Sequence, residues 1–179
     1  MKKTLLSLAI ASLAAGQSVC AAVEKVYNEP DSVYIFSYAH PEDEGRSGLK
    51  FAWSPDGDKW LSVSDGFAYL KCDFGRWGSE KRMIKPLLEK AEDGRWYCRW
   101  QLTPSGKVWG TSHSSDLLKW APQQYVNAEK PAVPRLVTAR QIVLDKDTLN
   151  GYMQKVPYAD IEQLIRFAEH KKFRDIQNN

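Results

Sequence analysis

Two stretches of the chain sixty positions apart follow one plan. Residues 47 to 60 read SGLKFAWSPDGDKW and residues 107 to 120 read KVWGTSHSSDLLKW, so Ser54, Asp56, Lys59 and Trp60 correspond to Ser114, Asp116, Lys119 and Trp120. The first of the two carries Pro-Asp-Gly, which supplies a preset φ, a side-chain acceptor and a position tolerant of φ > 0; these are the ingredients of a tight turn between strands. A second anchor lies upstream, where Asp31-x-x-Tyr34 matches Asp93-x-x-Trp96 at an offset of 62. Self-similarity at this period predicts repeated β-units that cannot bury their faces alone, as in propeller blades. A β-sandwich of two similar hairpin pairs is the alternative.

Short β-runs broken by turn chemistry fill residues 23 to 126. SVYIFSYA (32–39), GLKFAW (48–53), WLSV (60–63) and FAYLKC (67–72) form the first unit. MIKPLLEK (83–90), the turn EDG, RWYCRWQL (95–102) and KVWGTSH (107–113) form the second. From residue 127 the character changes. NAEKPAVP (127–134) reads as a linker, RLVTARQIVL (135–144) and GYMQKV (151–156) as a hairpin, and 158–177 as a helix with Ile161, Leu164, Ile165 and Ala168 on one stripe that Phe167 widens. The chain is thus expected to be mainly β, with two blade-like antiparallel repeats, a short hairpin and a C-terminal helix. No third copy of the turn motif occurs.

The opening MKKTLLSLAIASLAAGQSVCAA joins two lysines, a short apolar run and small residues, which is the pattern of a secretory signal peptide over 1–22. Lipid attachment at Cys20 is an alternative reading of the same segment. No other stretch is long and apolar enough to span a membrane. The expected location is outside the cytoplasm: periplasm, cell surface or extracellular space. Counted over the whole chain the net charge is +3; without Lys2 and Lys3 it is 23 basic against 22 acidic residues, or +1. Such a surface gives no electrostatic case for nucleic acid, whose binding is dominated by phosphate neutralisation.

All seven Trp and all eight Tyr follow the leader. In an exported protein such rings point to sugars, whose C–H faces stack on aromatics, although β-proteins also use aromatics simply to fill strands. Of the two cysteines beyond the leader, Cys72 and Cys98, an oxidising compartment permits a disulfide, while their apolar surroundings equally suit free buried thiols. No Cys/His cluster has metal-ligand spacing, and no phosphate-binding Gly loop or nucleophile elbow appears. No cofactor or metal is therefore expected.

Tyr-Ile-Phe-Ser-Tyr (34–38), Gly-Leu-Lys-Phe-Ala-Trp-Ser-x-Asp-Gly-x-x-Trp (48–60) and Ser-His-Ser-Ser-Asp-Leu-x-x-Trp (112–120) together resemble the opening blades of glycoside hydrolase family 43. These are secreted five-bladed β-propellers, and the nearest likeness is to the N-terminal region of Bacteroides-type secreted arabinosidases. The resemblance spans about residues 31 to 122 and implies a role in degrading arabinose-containing plant polysaccharide. Inverting members work with two carboxylates far enough apart to admit a water. Relatives carry Met-Arg-Asp-Pro with an essential Asp, where this chain has Met83-Ile84-Lys85-Pro86. Lysine serves as a base at neutral pH only after a large pKa depression, so the resemblance implies a chain inactive on its own. Five blades of about 50 to 60 residues each also exceed a mature chain of about 157. The expectation is the front of a longer enzyme with further blades missing, or a carbohydrate-binding accessory module. A cell-surface interaction protein with wholly internal aromatics is the third reading.

Two loops carry the candidate residues. AHPEDEGRSG (39–48) offers Asp43 and Glu44 as acid/base candidates and Arg46 as a ligand for hydroxyls, or else is a solvated charged loop. KCDFGRWGSEKR (71–82) offers Asp73, Arg76 and Trp77, an aromatic flanked by a cation that suits a sugar platform, or else a Trp folded onto the rim of the core. Trp60 and Trp120 are expected to pack within their units, and His113 to stabilise the turn beside it.

Overall fold

The turn motif builds its own hydrogen-bond cage. In the computed structural model, which describes residues 29–64, 66–127, 140–144 and 149–177, the Ser54 hydroxyl donates to Asp56 Oδ1 at 2.9 Å and accepts the Gly57 N–H at 2.8 Å. Asp56 Oδ1 then accepts the N–H groups of Asp58 and Lys59 at 2.9 and 3.0 Å. Sixty residues on, Ser114 and Asp116 repeat every bond, with Leu117, Leu118 and Lys119 donating at 2.8, 2.9 and 2.8 Å. The fourth residue of each turn is left-handed: Gly57 at φ 90°, where glycine adopts the conformation without steric cost, and Leu117 at φ 63°. Leu117 is fully buried, so its side chain anchors the second turn in the core at the expense of backbone comfort.

These bonds hold the Asp56 carboxyl down from 3.8 to about 2, chiefly through the Lys59 N–H, then the Asp58 N–H and the Ser54 hydroxyl. At Asp116 burial pushes the other way, but the Lys119 and Leu118 N–H groups outweigh it and the pKa again lies below the ordinary value. A group whose folded pKa is depressed contributes stability above its unfolded pKa and loses it as pH falls through the folded value. The double variant Asp56→Asn/Asp116→Asn is therefore expected to unfold at lower urea than wild type at about pH 5 and to converge with it near pH 2. Parallel urea titrations across this range check it; a constant gap would show that the charges contribute nothing.

The elements are β1 (Ser32–Tyr38), β2 (Lys50–Ser54), β3 (Leu61–Ser62), β4 (Ile84–Lys90), β5 (Trp96–Gln101), β6 (Val108–Ser114), β7 (Gln124–Asn127), β8 (Arg140–Leu144), β9 (Leu149–Pro157) and α1 (Glu162–Gln177). They form two antiparallel sheets, β3-β2-β1-β9-β8 and β4-β5-β6-β7. The fold is mainly β with one C-terminal helix, as the patterning predicts. The hairpin expected in the tail is present as β8–β9, but it is no appendage: β9 pairs along the whole of β1. At Asn127 the chain leaves the second sheet, and its next strands, β8 and β9, complete the first. FAYLKC, expected as a strand, touches β2's approach only through the single bridge Leu49–Leu70. The chain crosses there to seat Tyr69 against Phe51, at 5.1 Å between centroids. The leader, Cys20 and residues 128–134 of the linker lie outside the described residues.

The pairing registers show the repeat more fully than the sequence does. Tyr34 stands opposite Ser54 and Trp96 opposite Ser114, so the two offsets of 62 and 60 meet in the same rung of each sheet. On the other side Tyr34 faces Lys155 of β9, and Trp96 faces Lys90 of β4. Each lysine lies over its aromatic partner, at 5.8 and 5.7 Å from the ring centroid. The C-terminal strand β9 therefore takes, in the first sheet, the place that β4 holds in the second.

One apolar cluster joins both sheets and the helix. Val33, Ile35 and Phe51 meet Leu88, Trp96, Cys98 and Trp100, with Ile161, just before α1, and Leu164 and Ile165 of α1 closing over them. Phe167 is 37 % exposed but turns its edge to Phe67 and Tyr69. The opposite face of β1 buries Phe36 and Tyr38 in a second cluster with Trp60 and Met153. β1 is thus covered on both faces, which is why its sequence does not alternate. Trp100 needs Gly110 directly across from it, since a Cβ there would stand 2.2 Å from the indole ring. Cys72 and Cys98 are buried free thiols, and burial pushes the Cys98 pKa well up. The sheets are tied by polar links from the first to β4: the Ser37 hydroxyl to the Pro86 carbonyl at 3.3 Å, and Gln154 Nε2 to the Leu88 carbonyl at 2.8 Å.

Candidate functional site

The acidic loop is shaped by its own carboxylates. Asp43 accepts the N–H groups of Gly45 and Ser47 at 2.9 and 2.8 Å, one on each oxygen. Burial raises the Asp43 pKa, but these bonds and the Ser47 hydroxyl outweigh it and leave the carboxyl below its ordinary value. That direction is opposite to what a general acid requires. Glu44, in the left-handed region at φ 55°, binds Arg46 at 2.6 Å and Arg82 at 2.9 Å. The structure therefore engages both candidate carboxylates in holding loops together.

The second loop is pinned to the second sheet. Tyr125 on β7 donates its hydroxyl to Asp73 Oδ1 at 2.6 Å, and burial, then that bond, push the tyrosine pKa up. Gln123 accepts the Asp73 N–H at 3.1 Å and donates to the Lys71 carbonyl at 2.6 Å. The ring of Phe74 lies 4.8 Å from that of Tyr125. Asp73, one of the candidate sugar ligands, is thus an anchor of the loop. Beyond it a 3-10 turn at Gly78–Glu80 closes with the Trp77 N–H donated to Glu80 Oε2 at 2.8 Å.

Trp77 emerges from this anchored loop 64 % exposed, the most open of the large apolar side chains among the described residues. The Arg76 guanidinium lies 5.5 Å from its ring centroid. An isolated exposed apolar side chain is ordinary. Here the backbone on both sides is fixed, so the ring is offered on a constrained support.

Arg82 bridges the two loops, binding the Ser79 carbonyl at 2.8 Å on one side and Glu44 on the other. As a result Arg46, from the acidic loop, lines one cleft of about 490 Å³ with Lys71, Cys72, Gly78, Ser79 and Lys81. Trp77 stands immediately before Gly78 in the chain. The cleft thus places Arg46 with Gly78 and Ser79, which follow Trp77 in the chain, while Asp73, Arg76 and Trp77 are not among its lining residues; it adds Lys71 and Lys81, which the motif reading passed over. Their signal was the density of cations at both ends of KCDFGRWGSEKR. A smaller cleft of about 260 Å³ lies behind the acidic loop and includes His40, Met83 and Lys85. Lys85 is left-handed at φ 49°, in the irregularity that interrupts β4 between Ile84 and Leu87.

His113 lies where a turn role predicts: its carbonyl accepts the Ala121 N–H at 2.9 Å, and its ring is 5.5 Å from Tyr97. Trp60 and Trp120 pack against the two clusters. No group of three or more His, Cys, Asp or Glu suited to a metal occurs among the described residues, and no helix there is long and apolar enough to cross a membrane. Comparison of the chain with protein-family models, with curated proteins and with solved structures finds no match.

Proposed function

We propose that the protein is an exported carbohydrate-binding module that holds arabinose-containing polysaccharide without cleaving it. The observation that carries this reading is Trp77, an exposed ring on a loop fixed by Asp73–Tyr125 and by the Glu80 bond, the same loop that lends Lys71, Gly78, Ser79 and Lys81 to a cleft. A flat ring on a rigid support, with charged donors alongside, is the arrangement by which an aromatic contributes area at low entropic cost. The resemblance to arabinosidase blades supplies the ligand class. Hydrolysis would need a free carboxylate pair, whereas Asp43 and Glu44 are committed to backbone and guanidinium partners. The module reading therefore explains the geometry with fewer additions than an enzyme.

The test is binding of the purified protein to plant polysaccharides by affinity electrophoresis and calorimetry. Trp77→Ala is expected to weaken retention on the order of tenfold or more, as loss of an aromatic anchor does, with the melting temperature unchanged. Retention that ignores Trp77, or turnover of an aryl arabinofuranoside by the same preparation, would overturn the reading.

A further inference from the structure

The walls of the cleft lined by Gly78 and Ser79 have a charge that the protein as a whole lacks. Among its lining residues are Arg46, Lys71 and Lys81, and none is acidic. Arg46 is already paired with Glu44. Lys71 and Lys81 have no ion-pair partner among the described residues; the contacts at Lys71 are made by its backbone carbonyl. Arg76 adds a further cation over the Trp77 ring, also without an acidic partner among the described residues. Beyond the leader the chain is nearly neutral at +1. Lys71 and Lys81 on the cleft and Arg76 over the Trp77 ring are thus three cations without acidic partners, on a loop whose own carboxylates, Asp73 and Glu80, are bonded to Tyr125 and to the Trp77 N–H, and their fields add within a Debye length.

From this we infer that the glycan seated on Trp77 carries carboxylates: the site takes a uronate-bearing polysaccharide, with a sugar ring on the indole and uronate groups on Lys71 and Lys81. This rests on the carbohydrate-binding reading and narrows it. A neutral arabinan would use the ring but leave both ammonium groups unpaired. Lysine offers each carboxylate a charge-assisted hydrogen bond without demanding bidentate geometry, which suits the varied spacing of acids along a polysaccharide.

The experiment compares polygalacturonate, linear arabinan and dextran sulfate as probes of one preparation. Polygalacturonate is expected to bind about tenfold more tightly than arabinan at low salt. That advantage is expected to vanish as ionic strength rises from about 0.01 M to about 1 M, where the Debye length shrinks from about 30 Å to about 3 Å. Lys71→Gln and Lys81→Gln, surface changes whose folding is checked by melting temperature, are each expected to cost about three- to fivefold on polygalacturonate, the range of a partly exposed charge pair, and less than that on arabinan. Trp77→Ala is expected to weaken both glycans.

Equal binding of arabinan and polygalacturonate, insensitive to salt, overturns the uronate inference while leaving the carbohydrate module standing. Binding of no glycan at all removes both. Dextran sulfate bound as tightly as polygalacturonate, and indifferent to Trp77→Ala, marks unspecific polyanion adsorption and also overturns the inference.

Discussion

Trp100→Ala is expected to destabilise the protein by about 3–5 kcal/mol, the range for deleting a large aromatic from a packed interior. Trp100 is fully buried, lies in the cluster shared by both sheets and α1, and faces Gly110, which leaves it no neighbour able to swell into the space. The melting temperature should fall on the order of 10 °C for a chain of this size. Trp100→Phe makes the sharper comparison. The indole N–H finds no hydrogen-bond partner among the described residues, so phenylalanine removes volume without breaking a bond and is expected to cost less than half as much as alanine. Urea unfolding of the three proteins, followed by the remaining tryptophans, measures both differences. A phenylalanine variant as unstable as the alanine variant would mean that the N–H has a partner after all.

Arg99→Met is expected to cost a similar amount, about 3–5 kcal/mol, for a different reason. Arg99 of β5 and Glu89 of β4 form an ion pair with side chains 9 % and 1 % exposed. Taking two charges out of water is expensive, so the pair adds little net stability, yet removing Arg99 deprives the buried Glu89 carboxylate of this counter-charge. The double variant Glu89→Leu/Arg99→Met removes both charges and is expected to lie closer to wild type than Arg99→Met alone. Urea midpoints for the single and double variants form the measurement. If Arg99→Met costs less than about 1 kcal/mol, the pair is solvated like a surface pair and the buried geometry has been misjudged.

The parts of the fold legible in sequence are those made by local chemistry. Ser54 with Asp56, and Ser114 with Asp116, form their turns from hydrogen bonds spanning two or three residues, so the motif alone reveals both turns and the strands before them. The helix was legible through Ile161, Leu164 and Ile165 because one face is wet. FAYLKC reads as a strand although it is none because aromatic content reports burial on a pleated surface rather than ladder pairing; Phe67 and Tyr69 are spent on packing to Phe167. The place of β9 was invisible because its partner is chosen by which sheet lacks a strand. At the candidate site the exposure of Trp77 and the adjacent Arg76 could be guessed from KCDFGRWGSEKR. The gathering of Arg46 with Lys71 and Lys81 could not, since it depends on Arg82 clasping Glu44 across two loops.

The seating of β9 beside β1 also fixes an order of events. Ser37 and Tyr152, joined across that seam, lie 115 residues apart in the sequence, and contacts of such separation must overcome the closure entropy of the intervening chain before they contribute anything. During synthesis the second unit can assemble from neighbours in the chain, whereas the first waits, its β1 edge open, until β9 has been made. An open edge is the feature of a partly folded chain most prone to pair with another copy. The last strand is thus both the lock of the fold and the guard of its earliest segment.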